Sequence, residues 1–229
     1  MIHFHIVTLF PESIKPYLES SILGRAIEKK LIKISFYDPK KFAVGKHKRV
    51  DQRPYGGGPG MILEPTAVLK AAGKALKKMS EGNPWTKTSS KGYPRTTEVL
   101  FFATDGVVFN EVMAQKLSKK KNILLICGRY EGVDARVQKI LRAKKISVGP
   151  YVLTGGELPA ATIIDAVARF IPGVLGKAES LEASRVSSPE VYTRPEVLEW
   201  KKKKHRVPKV LLTGHHAKID EWKTKRRQK

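Results

Sequence analysis

SVGPYVLTGGELPA, running from Ser147 to Ala160, is the stretch on which the reading of this chain turns. The residues from Ile146 to Leu153 are predicted to be a strand, and those from Leu158 to Phe170 a largely buried helix. Between them lie Gly155 and Gly156. Glycine has no Cβ, so a loop built on it can bring backbone N–H and C=O groups close to a ligand. CGRYEG, Cys127 to Gly132, has the same character and also follows an apolar run, Ile123 to Cys127. Two such loops point to a ligand site at the carboxyl ends of neighbouring strands. Taken alone, either loop is equally an ordinary tight turn.

Working outward, β-rich and helix-like segments alternate. Strands are predicted at Ile2 to Leu9, Leu31 to Tyr37 and Val99 to Ala103. Helices are predicted at Ser20 to Lys30, Pro65 to Met79, Asn110 to Lys120 and Val133 to Ala143. Pro65 suits the first turn of its helix. The segment from about Ser80 to Thr97 reads as a surface loop. This alternation predicts an α/β layer fold with a mainly parallel sheet.

After Gly173 the character changes. The chain divides into a domain over 1–173, a linker over 174–188 and a small basic unit over 189–229. The last segment carries 13 Lys+Arg against 5 Asp+Glu, with Trp200, Trp222 and the pair His215-His216. Too short to bury much core alone, it is expected to pack on another surface or another subunit.

Composition narrows the function. The chain has 229 residues, 44 Lys+Arg against 21 Asp+Glu, and a formal charge of +23. A surface so basic points to a polyanionic partner, nucleic acid first. Solvated lysine-rich faces are the plainer alternative. A single cysteine, Cys127, excludes an internal disulfide framework and a cysteine-rich metal site. No apolar run reaches the length of a membrane span and the start lacks a cationic leader, so a cytoplasmic location is expected. No ligand cluster for a divalent metal stands out.

YGGGPGM, Tyr55 to Met61, is the densest glycine cluster. It matches neither the Walker phosphate loop nor the dinucleotide fingerprint. It reads either as a flexible loop or, with His47, Asp51 and Arg53 before it, as a substrate-touching one.

KHKRVDQRPYGGGPGM, CGRYEGVDAR, VGPYVLTGGELPA, DAVARFIPGVLGK, YTRPEV and LLTGHH together resemble the bacterial tRNA guanine-N1 methyltransferases, over nearly the whole chain and in the same order. The resemblance implies a SPOUT-type α/β domain with a mainly parallel sheet and a deep trefoil knot, then a small helical domain shorter than usual, working as a homodimer. It implies methyl transfer from S-adenosylmethionine to N1 of the guanine just 3′ of the tRNA anticodon. A tRNA-binding protein that has lost catalysis and an enzyme acting on another RNA are the rival readings.

The resemblance also assigns residues. The methyl donor is expected against Gly128, the loop Val148, Gly149, Pro150, Tyr151, Val152 and Leu153, and Gly155 and Gly156, with Glu131 near its cationic end. Tyr130 is expected to stack on the target guanine, and Arg169 to contact it. This chain has Pro150 where the family usually has Asp, and Ala103-Thr104-Asp105-Gly106 where it has Ser-Pro-x-Gly. The family's catalytic Asp aligns with Ser184, a poor base without an activating partner. The nearest carboxylates are Glu182 and Glu179, and Glu182 is expected to take the proton. His215 and His216 are expected to cap or pack the small domain, or to touch phosphate.

Overall fold

The computed structural model describes residues 1–44, 49–80, 92–175 and 190–227. Contacts divide the chain into two compact units, Met1–Leu175 and Gly176–Lys229.

In the first unit, β1 (Ile2–Val7), β2 (Ile32–Tyr37), β5 (Thr97–Val108), β6 (Asn122–Ile126) and β7 (Lys144–Ser147) form one sheet in the order β2-β1-β6-β5-β7. Every pairing in it is parallel. A parallel sheet is covered on both faces, so its strands read as continuous apolar runs rather than alternating ones. Ile123, Leu124, Leu125 and Ile126 of β6 are accordingly all buried. One face packs with α1 (Lys15–Leu18), α2 (Ser21–Glu28), α4 (Glu111–Leu117) and α6 (Glu157–Ala168) around Phe4, Ile6, Leu125 and Ile146. The other packs with α3 (Pro65–Ser80) and α5 (Ala135–Ile140) around Val7, Val99, Leu124 and Ile126. A two-stranded antiparallel pair, β3 (Asp51–Gln52) and β4 (Ile62–Leu63), precedes α3.

Most predicted elements are present with shorter ends. Asn110 and Asp134 stand just outside α4 and α5, where their carboxamide and carboxylate accept from Met113 and Arg136 N–H groups as caps. The strand predicted to run to Leu153 stops at Ser147. There the Ser147 hydroxyl accepts from Gly149 N and donates to Gly149 O, closing a turn that the N–H-lacking Pro150 continues. β5 runs five residues beyond the predicted Ala103, because Ile146 pairs with both Phe102 and Val107 and residues 103–106 loop out between them. A Cβ on Gly106 would stand 2.5 Å from Ile146 N, so this bulge requires glycine.

A buried polar cluster sits in β1. His5 bonds Tyr37 Oη at 2.9 Å and Asn122 Oδ1 at 3.3 Å, and His3 bonds Ser35 Oγ at 2.8 Å. The two rings lie tilted at 32° with centroids 3.7 Å apart. Burial lowers His3 from 6.5 to about 3 and His5 to about 4, and Lys33 and Lys78 add to both shifts. Because the unfolded chain binds these protons first, this contribution to stability is complete above pH 6.5 and shrinks as pH falls toward 4. Melting followed between pH 7.5 and 4 should therefore show Tm falling with acidity, and less steeply in His5→Gln than in the parent.

The second unit contains a hairpin, β8 (Val197–Trp200) with β9 (Lys203–Arg206), then α7 (His216–Arg227). The resemblance implies a helical unit; α7 is helical, whereas the hairpin before it is too polar to show an alternating core face in the sequence. Tyr192 and Arg226 pack about Trp222, and Arg226 pairs with Glu190 at 3.0 Å. His215 and His216 are exposed at the start of α7, where His215 O accepts from Ile219 N–H at 3.1 Å at the cap position.

Candidate functional site

Three neighbouring strands, β6, β5 and β7, deliver their carboxyl-end loops to one place. Residues 101–105, 128–133 and 146–156, Pro150 excepted, line a cavity of about 400 Å3 with Pro159 at the start of α6. The volume lies in the range of small-ligand sites, which also favour the carboxyl ends of parallel strands.

The loop after β6 is tied to the loop after β7. Gly156 N–H donates to Gly128 O at 2.9 Å, and the Cys127 thiol donates to Gly156 O at 3.3 Å. Arg129 and Gly155 form an isolated antiparallel bridge. A Cβ on Gly156 would lie 2.6 Å from Cys127 Cα, and one on Gly155 2.5 Å from both Arg129 Nε and Glu157 Oε2. These two glycines thus let two loops touch each other; close approach to a ligand is not what demands them. Burial pushes the Cys127 thiol well up, which keeps it protonated and makes it a packing group rather than a nucleophile.

Arg129 and Glu157 lock the same junction, and no role was assigned to either from the sequence. Glu157 is buried in the first turn of α6, where its Oε1 accepts from Thr8 Oγ at 2.6 Å. Arg129 Nε stands 2.9 Å from Glu157 Oε2, close enough to pair although not aligned as a hydrogen bond. The guanidinium also donates to Thr154 O at 3.4 Å and lies 4.7 Å from the Phe10 ring centroid. The signal in the sequence is weak: Glu157 is the one charge in TGGELPA, but Arg129 shares CGRYEG with Glu131.

Glycines also admit the YGGGPGM segment to this region. A Cβ on Gly60, whose φ is +80°, would meet Glu131 Cγ at 2.5 Å. Met61 O accepts from Glu131 N–H at 3.0 Å, and Gly132 O from Leu63 N–H at 3.0 Å. Asp51 pairs with Leu63 across β3 and β4, so this hairpin hangs from the edge of the cavity. Tyr130 protrudes there with φ +60°, a conformation costly for a bulky residue, and is 53% exposed. Tyr151 folds back over Gly149 and donates to Val148 O at 3.1 Å.

The cavity therefore gathers Gly128, Tyr130, Glu131, Val148, Gly149, Tyr151, Val152, Leu153, Gly155 and Gly156 from the expected set. Pro150 and Arg169 do not line it. Pro150 is solvent-exposed in the turn. Arg169 caps the far end of α6, and a helix of 12 residues puts roughly 18 Å between its ends. Arg53 is exposed after β3. His47, Glu179, Glu182 and Ser184 lie outside the described residues.

Asp105, Arg129 and Glu131 supply the charged groups of the lining. A hydrogen bond from Lys145 at 2.7 Å holds the Asp105 carboxyl below its usual value. With Asp105 paired to Lys145 and Arg129 to Glu157, Glu131 is the lining charge that favours a ligand carrying positive charge. Among the described residues, no group of three or more His, Cys, Asp or Glu could hold a metal ion. No helix among them is long and apolar enough to cross a membrane.

A family model described as tRNA (Guanine-1)-methyltransferase TrmD matches residues 2–229. The chain belongs to this family. A tRNA (guanine-N(1)-)-methyltransferase of Clostridioides difficile is 41% identical over 224 residues, covering 96% of this chain and 90% of the relative. One from Dictyoglomus turgidum is 42% identical over 230 residues, covering 98% and 84%. One from Haemophilus influenzae is 40% identical over 224 residues, covering 96% and 84%. The five-stranded parallel sheet with helices on both faces is consistent with the family's SPOUT fold.

Proposed function

We propose that this protein transfers the methyl group of S-adenosylmethionine to N1 of guanine in tRNA, at the guanine 3′ of the anticodon, in the cytoplasm. The observation that carries the reading is the cavity at the carboxyl ends of β5, β6 and β7, which fits an adenosine-bearing, positively charged ligand. Backbone groups of 148–153 and Gly128 would hold the nucleoside, and Glu131 would face its cationic end. The donor supplies an electrophilic methyl group bound to sulfonium. The family membership and the names of the relatives support the same class of substrate.

Guanine N1 bears a proton and lies on the Watson–Crick edge, so the base must be unpaired when it reacts. Stacking on it is the role we assign to Tyr130, an exposed residue of the cavity lining. As N1 is attacked, charge grows on O6 and a proton leaves N1. A guanidinium stabilises the first with paired donors, the role we assign to Arg169. A carboxylate accepts the second, the role we assign to Glu182. Glu182→Gln should lower turnover by about 100-fold or more, the usual weight of a general base, and Glu179→Gln should not. Near-normal single-turnover rates in both would remove Glu182 from the mechanism.

Arg169 and the cavity stand at opposite ends of one α6. A homodimer accounts for this: the partner subunit's Arg169 would meet the donor bound in the first. Exposed Val152, Leu153 and Leu158 are apolar surface beside the cavity that such a partner would cover. We further assign 1–173 as the knotted transfer domain, 174–188 as the linker and 189–229 as the tRNA-contacting unit, with His47, Asp51 and Arg53 on the RNA side.

The deciding assay supplies radiolabelled methyl donor and tRNA transcripts with guanine or adenine 3′ of the anticodon. Transfer only to the guanine transcript is expected. Tight tRNA binding without transfer would identify a binding protein, and transfer independent of that guanine an enzyme for another RNA. With a charge of +23, tRNA affinity should fall steeply with salt. The drop is on the order of a thousandfold between about 50 and 200 mM when six or more phosphates are neutralised. A flat response in filter binding would make the charge incidental.

A further inference from the structure

We propose that the β8–β9 hairpin is an RNA-binding finger that stacks an unpaired base on Trp200 and grips the adjoining phosphates with its lysine tip. Cross-strand pairs put Leu198 opposite His205 and Trp200 opposite Lys203, so these four side chains share one face of the ribbon. Val197, Glu199, Lys204 and Arg206 share the other. Trp200 is 64% exposed and Leu198 53% exposed, and His205 and Lys203 are exposed with them. A strand face that offers an indole and an imidazole to solvent beside cations is the arrangement on which unpaired bases stack. An indole serving only the core of this unit would be covered; Trp222 does that work, packed by Tyr192 and Arg226.

The turn adds a second, independent observation. Lys201 and Lys202 occupy its two central positions with φ +49° and +62°. Such a two-residue turn favours Asn-Gly or Gly-Gly, which tolerate positive φ, and lysine does not. Here four consecutive lysines, Lys201 to Lys204, project from a strained tip, with Arg206 behind them and Glu199 as the acid of the ribbon. Folding stability does not call for cations at that place; a polyanion does.

The proposal rests on the tRNA reading only for the identity of the RNA, and its test runs without a methyl donor so that the two can fail separately. Full-length protein is titrated with a labelled short unpaired oligoadenylate and with an unmodified tRNA transcript, following anisotropy and tryptophan emission. Oligoadenylate should quench the emission, and Trp200→Ala should abolish that quenching and weaken binding roughly tenfold or more, the effect of one lost stack. Trp200→Phe should restore most of the affinity, and replacing Lys201 to Lys204 by Gln should flatten the salt dependence. Circular dichroism and gel filtration establish that each variant keeps its fold and assembly. Trp200→Ala binding both RNAs within twofold of the parent overturns the proposal. So does a change in assembly with RNA affinity intact, which would make this face a subunit contact. Binding of anionic phospholipid vesicles in preference to RNA overturns it as well.

Discussion

Replacing Arg129 by alanine should be the most damaging single change away from the sheet core. Glu157 is buried beneath it, with Thr8 Oγ on one carboxylate oxygen and Arg129 Nε 2.9 Å from the other. Removing one member of a buried pair leaves an uncompensated charge and costs about 3–5 kcal/mol. For a chain of this size that is a fall in Tm of about 6–20 °C. Arg129 also ties Thr154 to the β6 loop, so the cavity wall should loosen and donor affinity should fall with stability. Thermal melting and calorimetric titration with S-adenosylhomocysteine measure the two effects. The double change Arg129→Met with Glu157→Gln should recover much of the lost stability, because it removes the stranded charge, without restoring the tie. A single variant as stable as the parent would show that the pair carries little.

Gly156→Ala should have the largest effect on methyl transfer among conservative changes. The new methyl would stand 2.6 Å from Cys127 Cα and 3.0 Å from Gly128 N, all in or beside backbone that cannot rotate away. One loop has to move, at a cost of about 1–3 kcal/mol for overpacking. A shift approaching 1 Å in groups that position a reacting ligand can lower the rate by about 100-fold. Transfer should therefore fall by that order, with donor affinity reduced at least several-fold. Gly73→Ala is the control: nothing lies within 4 Å of its Cβ position in α3. There alanine should raise stability by about 0.5–1 kcal/mol through helix propensity. Normal transfer by Gly156→Ala would mean that the junction yields without disturbing the cavity.

These two expectations show where sequence and structure divide the work. The alternation of apolar runs with helical periodicity set out the parallel sheet and its helices, because burial on both faces leaves a signature in local composition. CGRYEG and SVGPYVLTGGELPA marked the two loops that meet. Their glycines were legible as glycines, but the reason for them was not. Chemistry along the chain pointed to a ligand, whereas the contact that forbids a Cβ on Gly156 comes from Cys127, 29 residues away and in another loop. The Arg129–Glu157 pair went unread for the same reason. Each residue alone looks like an ordinary charge, and only the sheet order that sets β6 beside β1 and β5 buries them together with Thr8.

The C-terminal unit divides the same way. Its basic charge and its tryptophans were plain from composition, and the charge alone pointed to nucleic acid. Cross-strand register decided which of them share a face: pairing Trp200 with Lys203 and Leu198 with His205 gathers ring, cation and imidazole on one side. Local propensity thus specified the parallel α/β scaffold and the basic character of this protein. Which glycines are indispensable, which charge is buried, and that Arg169 stands a helix length from the cavity were decided by tertiary contacts, because those properties depend on neighbours that the chain brings together only when it folds.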